Sequence, residues 1–146
     1  MNSPGTYNLG DRAITTALTG EVITSAPDIQ GQTQEYLDNL EGMLAATLSV
    51  NFVYGSGGTT CIVSIETTLD QGTTWTEVAR FAFAQASEHN QVNLSGLTPV
   101  TTVYTPAALS SDAVKDGIFG DRWRAKVTST GTYAGNTSVS VRLNAR

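Results

Sequence analysis

The chain of 146 residues carries a net charge of −5, a pI near 4.6 and 14% charged residues, against roughly 25% in an average soluble domain. That length suits one domain, and the excess of acid over base excludes a surface built to neutralise nucleic-acid phosphates. A single cysteine and a single histidine exclude an internal disulfide and deprive transition metals of their usual ligands, so no metal or cofactor is expected. Thr is the commonest residue and Gly numbers 14, a mixture for strands and turns rather than a helix bundle.

The opening Met1-Asn2-Ser3-Pro4-Gly5 has neither the cationic head nor the apolar core of an export signal. No apolar run approaches the ~20 residues of a bilayer span, so a chain made in the cytoplasm and free of membranes is expected. Residues 1–34 are polar and broken by Pro4-Gly5, Gly10-Asp11, Thr19-Gly20, Ala26-Pro27 and Gly31. Two short runs, Ala13 to Thr19 and Glu21 to Ser25, carry little apolar area. The segment therefore reads as an extended N-terminal arm that packs on a partner, with a flexible leader ending in an edge hairpin as the alternative, and residues 35–146 as a β-sandwich domain.

From Leu44 the pattern sharpens. Leu44, Ala46, Leu48, Val50, Phe52 and Tyr54 fall on alternate positions, the period of a strand with one buried face. Gly55-Ser56-Gly57-Gly58 then predicts a reversal into Cys61, Val63 and Ile65, a first hairpin. A second hairpin runs from Thr68 to Trp75 into Val78 to Phe83, with shorter strand candidates at Gln91 to Leu94 and Val100 to Tyr104. Ser110-Ser111-Asp112 is a candidate helix cap, predicting about two turns of helix ended by Gly117. A third hairpin pairs Trp123, Ala125 and Val127 with Val139, Val141 and Leu143 across Gly131 to Gly135. Some seven strands, each with one apolar face, imply an all-β, antiparallel two-sheet sandwich of jelly-roll or immunoglobulin-like type.

Thr68-Leu69-Asp70-Gln71-Gly72-Thr73-Thr74-Trp75 resembles the Asp-box turn of sialidase-type propellers and scattered β domains. Asp70 can accept backbone N–H bonds inside the loop, Gly72 supplies a positive φ, and Trp75 packs beneath the turn. The box occurs once, whereas a propeller would repeat it in every blade, so Asp70, Gly72 and Trp75 read as a structural turn. Two carboxylate groups, Glu66/Asp70/Glu77 and Asp112/Asp116/Asp121, lack the spacing of a calcium loop, and His89 lies in a polar stretch without a nucleophile beside it. No catalytic residue is assigned and an enzyme is not expected. Arg122, Arg124, Lys126 and Arg142 form the one cationic stripe, on the outer face of the third hairpin, while Ile118-Phe119 stand between two glycines. Ile118, Phe119, Arg122, Arg124 and Arg142 are thus the candidate partner interface.

Further stretches carry a family resemblance: Gly42 to Ala46, Thr67 to Trp75, Val78 to Phe83, Lys115 to Arg122 and Thr130 to Gly135. Together, across Leu40 to Arg142, they look like small virion proteins of tailed bacteriophages, especially a family seen in phages of alphaproteobacteria. The resemblance implies a non-enzymatic virion protein assembled in the host cytoplasm. It points first to a capsid decoration (cement) protein, a homo-oligomer with a trimer preferred, that contacts the major capsid protein or other virion proteins. A tail, neck or baseplate component is the alternative within that class. A carbohydrate-binding or adhesion module is the alternative outside it, with Asp70, Trp75, Tyr104 and Tyr133 as its first residues.

Overall fold

The computed structural model describes residues 3–146. Alternating apolar residues form seven strands of eight or nine residues: β1 (Gly5–Ala13), β5 (Ala45–Val53), β7 (Thr60–Thr68), β8 (Thr76–Phe83), β9 (Glu88–Ser95), β10 (Arg122–Thr130) and β12 (Ser138–Ala145). Five two-residue strands complete the set: β2 (Glu21–Val22), β3 (Ala26–Pro27), β4 (Thr33–Gln34), β6 (Ser56–Gly57) and β11 (Tyr133–Ala134). Two antiparallel four-stranded sheets result, ordered β1-β12-β5-β9 and β2-β10-β7-β8. They enclose one core. Leu48, Val50 and Phe52 of the first sheet and Val63, Ile65 and Phe81 of the second are all buried, and Phe52 stacks on Phe83 at 5.0 Å between ring centroids. The all-β antiparallel architecture expected from periodicity is present, and no helix occurs among the described residues.

Two of the three expected hairpins are sheet-to-sheet crossings instead. The strand containing Leu48 belongs to the first sheet and pairs with β9 and β12, whereas the strand containing Val63 belongs to the second and pairs with β8 and β10. In the same way, β10 and β12 lie in different sheets. The glycine clusters explain why. The two crossings run side by side and pair with each other, Gly57 opposite Tyr133 and Ser56 opposite Ala134. A Cβ on Gly55 would overlap the Gly135 carbonyl and stand 2.5 Å from the Ala134 oxygen, so only glycine lets these backbones meet. The β7–β8 hairpin alone forms as expected.

The expected arm is also corrected. Of residues 1–34, Met1 and Asn2 lie outside the described residues; the rest belongs to the sandwich. β1 pairs with β12 along its length, broken only by a bulge where Asn8 Oδ1 accepts from the Gly10 amide at 2.8 Å. Leu9, Ile14, Leu18, Ile23 and Ala26 are buried in the common core. Leu9 sits on β1 and Ala26 on β3, while Ile14, Leu18 and Ile23 lie in connecting segments, so no periodicity announces them. Ile14 N donates to Thr137 O, Leu18 N to Ser129 Oγ and Ile23 N to Ala125 O, which ties the segment to β10 and the start of β12.

The helix expected from Ser110 to Gly117 is absent. Asp112 adopts φ 59° in a turn, and its carboxylate accepts from the Ala82 amide at 3.0 Å. Arg80 N then donates to Ala113 O and Lys115 N to Val78 O, so this stretch caps the otherwise open edge of β8. A free sheet edge offers more hydrogen bonds than two isolated turns of helix would keep. Val100 to Tyr104 makes no ladder, and Gln91 to Leu94 lies inside β9.

Candidate functional site

The Asp70 turn is assembled by local hydrogen bonds. The Asp70 carboxylate accepts from Thr74 N at 2.8 Å, Thr74 Oγ1 at 2.6 Å and Thr68 Oγ1 at 2.8 Å. Those bonds, the Thr74 hydroxyl first, hold its carboxyl below the ordinary value of 3.8. Gly72 takes φ 94°, and a Cβ there would touch the Trp75 indole at 3.6 Å, so the tryptophan does lie beneath the turn. Asp70, Gly72 and Trp75 are thus brought together. Every carboxylate oxygen of Asp70 is used inside the loop.

Trp75 is not a core residue. It is half-buried on the outer face of the second sheet, where the Arg124 guanidinium stacks on it at 4.0 Å and the Tyr36 ring lies 6.4 Å away. Arg122 covers Tyr36 at 4.6 Å, reaches Asp38 at 3.4 Å and donates to Gln71 O at 2.6 Å, binding the stripe to the Asp70 turn. Arg124 pairs with Glu66 at 2.8 Å. The stripe is therefore interleaved with carboxylates, which leaves it little field to attract an acidic partner.

The candidate interface residues do not share one face. Arg142 lies on β12 in the first sheet, where it pairs with Asp11 at 3.0 Å. Partial burial pushes Asp11 up, but hydrogen bonds from Arg142, Asn8 and Ser140 outweigh it and hold the carboxyl below 3.8. Phe119 packs edge-on against buried Trp123 at 5.1 Å, and Ile118 is half-buried beside it. Tyr133 is buried and donates to Ala84 O at 2.7 Å, while Tyr104 is covered by the Lys115 ammonium at 4.2 Å.

Three polar arrangements were legible only in part. Asp116 accepts from Ser95 N at 2.6 Å and Thr98 Oγ1 at 3.1 Å, fastening the loop after β9. His89 Nε2 lies 2.7 Å from Ser49 Oγ on the exposed face of the first sheet, with Gln91 Nε2 3.5 Å from the same hydroxyl. Cys61 is buried, and desolvation pushes its thiol up to about 12, which suppresses the thiolate. No group of three or more potential metal-ligating side chains occurs among the described residues.

Two features went unseen in the sequence. The first is a groove of about 340 Å³ on the outer face of the second sheet. Its floor is drawn from two cross-strand rows: Lys126, Ser64 and Arg80, then Glu66 and Glu77. Glu66 and Glu77 face each other across β7 and β8 because a bulge follows Ile65, and each acquires a cation. Arg80 binds Glu77 through Nε at 2.9 Å and Nη2 at 3.3 Å, and Leu109 N donates to the same carboxylate at 2.6 Å. That last bond straps Pro106, Ala107 and Ala108 over the sheet as the groove's second wall. The second feature is apolar. Leu44 before β5, Leu69 after β7 and Leu97 after β9 are 53%, 72% and 69% exposed at one end of the sandwich, around half-buried Met43 and Phe119.

No protein-family model matches the chain, and no curated protein matches it.

Proposed function

We propose that this chain is a non-enzymatic structural protein of a tailed-bacteriophage virion, a capsid decoration (cement) protein whose partner is the major capsid protein. The observation that carries this reading is the exposed apolar end formed by Leu44, Leu69 and Leu97, with Val103, 96% exposed, on the loop that follows Leu97. Apolar side chains gathered this way mark contact with another protein. The segment between residues 97 and 105 turns and bends without joining a ladder, a surface loop of the kind that carries binding residues.

Strand order supports the same reading. We take β1-β12-β5-β9 facing β2-β10-β7-β8 as a jelly roll. Consecutive strands among these eight change sheet at every step except β7 to β8, as in two interlocked Greek keys. Jelly rolls are a common architecture of viral capsid and lectin domains. A homotrimer is the expected assembly. The test is co-sedimentation of purified protein with capsids that lack it, for the natural chain and for Leu69→Asp with Leu97→Asp. Binding by the natural chain and loss with the folded double variant is the expected result. Binding to tails, necks or baseplates instead would move the protein to that part of the particle, and recovery in no particle would refute the virion reading.

A further inference from the structure

We propose that the groove on the outer face of the second sheet binds a neutral carbohydrate of one or two sugar units. The inference stands on the groove's own chemistry and does not depend on the virion reading. At about 340 Å³ the space lies near the lower end of ligand sites, which fits a small polar molecule. Three walls converge on it: the sheet, the Pro106–Ala108 strap and the Trp75 indole.

Charge selects the ligand class. Four ionic side chains line the groove, Glu66, Glu77, Arg80 and Lys126, and their formal charges cancel. Glu77 is held by Arg80, and Glu66 lies 3.9 Å from Lys126 and 2.8 Å from Arg124. Both lining carboxylates are already paired with cations, so an ion entering would lose hydration without a free counter-charge to meet it. A neutral polyol meets fixed donors and acceptors instead. Glu77 is only 7% exposed and locked by three hydrogen bonds, so its geometry is set before any ligand arrives. Arg80 uses Nε and Nη2 on Glu77, leaving Nη1 to donate. Ser64 and Thr128 add hydroxyls, and Thr128 Oγ1 already accepts from the Gly20 amide at 2.9 Å, so its proton is directed elsewhere.

The apolar surfaces match as well. Trp75, Pro106 and Ala107 supply carbon walls of the kind that pack on the C–H faces of a pyranose, while the polar floor meets its hydroxyl rim. A peptide is disfavoured by position, because the groove lies on a sheet face where the flanking ladders are paired and no strand edge is open.

The experiment is titration of the 15N-labelled full chain with maltose, cellobiose, lactose and mannobiose, followed by amide chemical shifts. At least one sugar is expected to give saturable shifts confined to Ser64, Trp75, Lys126 and the Pro106–Leu109 strap. Ala107→Trp, on an exposed loop, fills the groove without touching the core, and it should weaken that binding at least about tenfold at unchanged melting temperature. Lys126→Met serves as a second variant and should weaken it too. Absence of shifts with every sugar at tens of millimolar would overturn the proposal. So would shifts that persist in Ala107→Trp, or tighter binding of glucuronate or of a short unstructured peptide than of the neutral sugars.

Discussion

Replacing Leu9 by Ala tests whether the first 34 residues belong to the folded unit. Leu9 is fully buried on β1. Truncating such a side chain costs about 2–5 kcal/mol, the spread reflecting how far the site can collapse. Leu9, Ile14, Leu18 and Ile23 are each at most 7% exposed. Burying one large aliphatic side chain contributes about 1.5–3 kcal/mol, so the four together contribute about 6–12 kcal/mol. That is the size of a small domain's whole net stability, about 5–15 kcal/mol. Deleting residues 1–31 should therefore leave no cooperative fold, and Leu9→Ala should lower the urea midpoint sharply. Ile29→Ala, at a hairpin tip with the side chain 87% exposed, should stay within about 0.5 kcal/mol of the natural chain. Urea unfolding followed by tryptophan fluorescence measures all three. A truncated chain that unfolds cooperatively at the natural midpoint, or a Leu9→Ala as mild as Ile29→Ala, would refute the argument and restore the segment as an arm.

Gly55→Ala should cost about 1–3 kcal/mol or more, because its methyl meets backbone that cannot yield without separating the paired crossings; thermal melts of the variant decide it, and an unchanged Tm would mean the loops are not in contact. Acidification should weaken the fold through Asp70. Its folded pKa lies below 3.8, so its contribution is present above the unfolded value and is lost as pH falls through the lower folded one. Asp70→Asn should give a shallower loss of urea midpoint below about pH 4 than the natural chain, and equal slopes would show that the turn does not couple to folding.

The inward faces of β5, β7, β10 and β12 were legible because Leu48, Val63, Ala125 and Val141 stand at every second position and all are buried. Which sheet each strand joins was not legible. Both inner faces present the same alternation, so parity cannot separate a hairpin from a crossing. Glycine clusters announce positive φ and reversal, but the reason for Gly55 and Gly135 is that they lie against each other, 80 residues apart in sequence. The Asp70 turn was legible since all its bonds close within six residues. Which face receives Trp75 was not legible, because a tryptophan beside a turn looks the same on the inner or the outer face of a sheet. The groove depends on a bulge after Ile65 and on a strap held by a bond from Leu109 back to Glu77, 32 residues earlier, neither of which has a local signature.

The pairing of β1 with β12 joins segments 125 to 140 residues apart in sequence. On a ribosome, Gly5–Ala13 emerges first and has no mate until Ser138–Ala145 has left the exit tunnel. The outer ribbon of the first sheet can therefore close only once Ser138–Ala145 is available, and until then Leu9 lacks the strand that β1 pairs with. This closure is long-range docking of the slow kind, and β1 must wait for it.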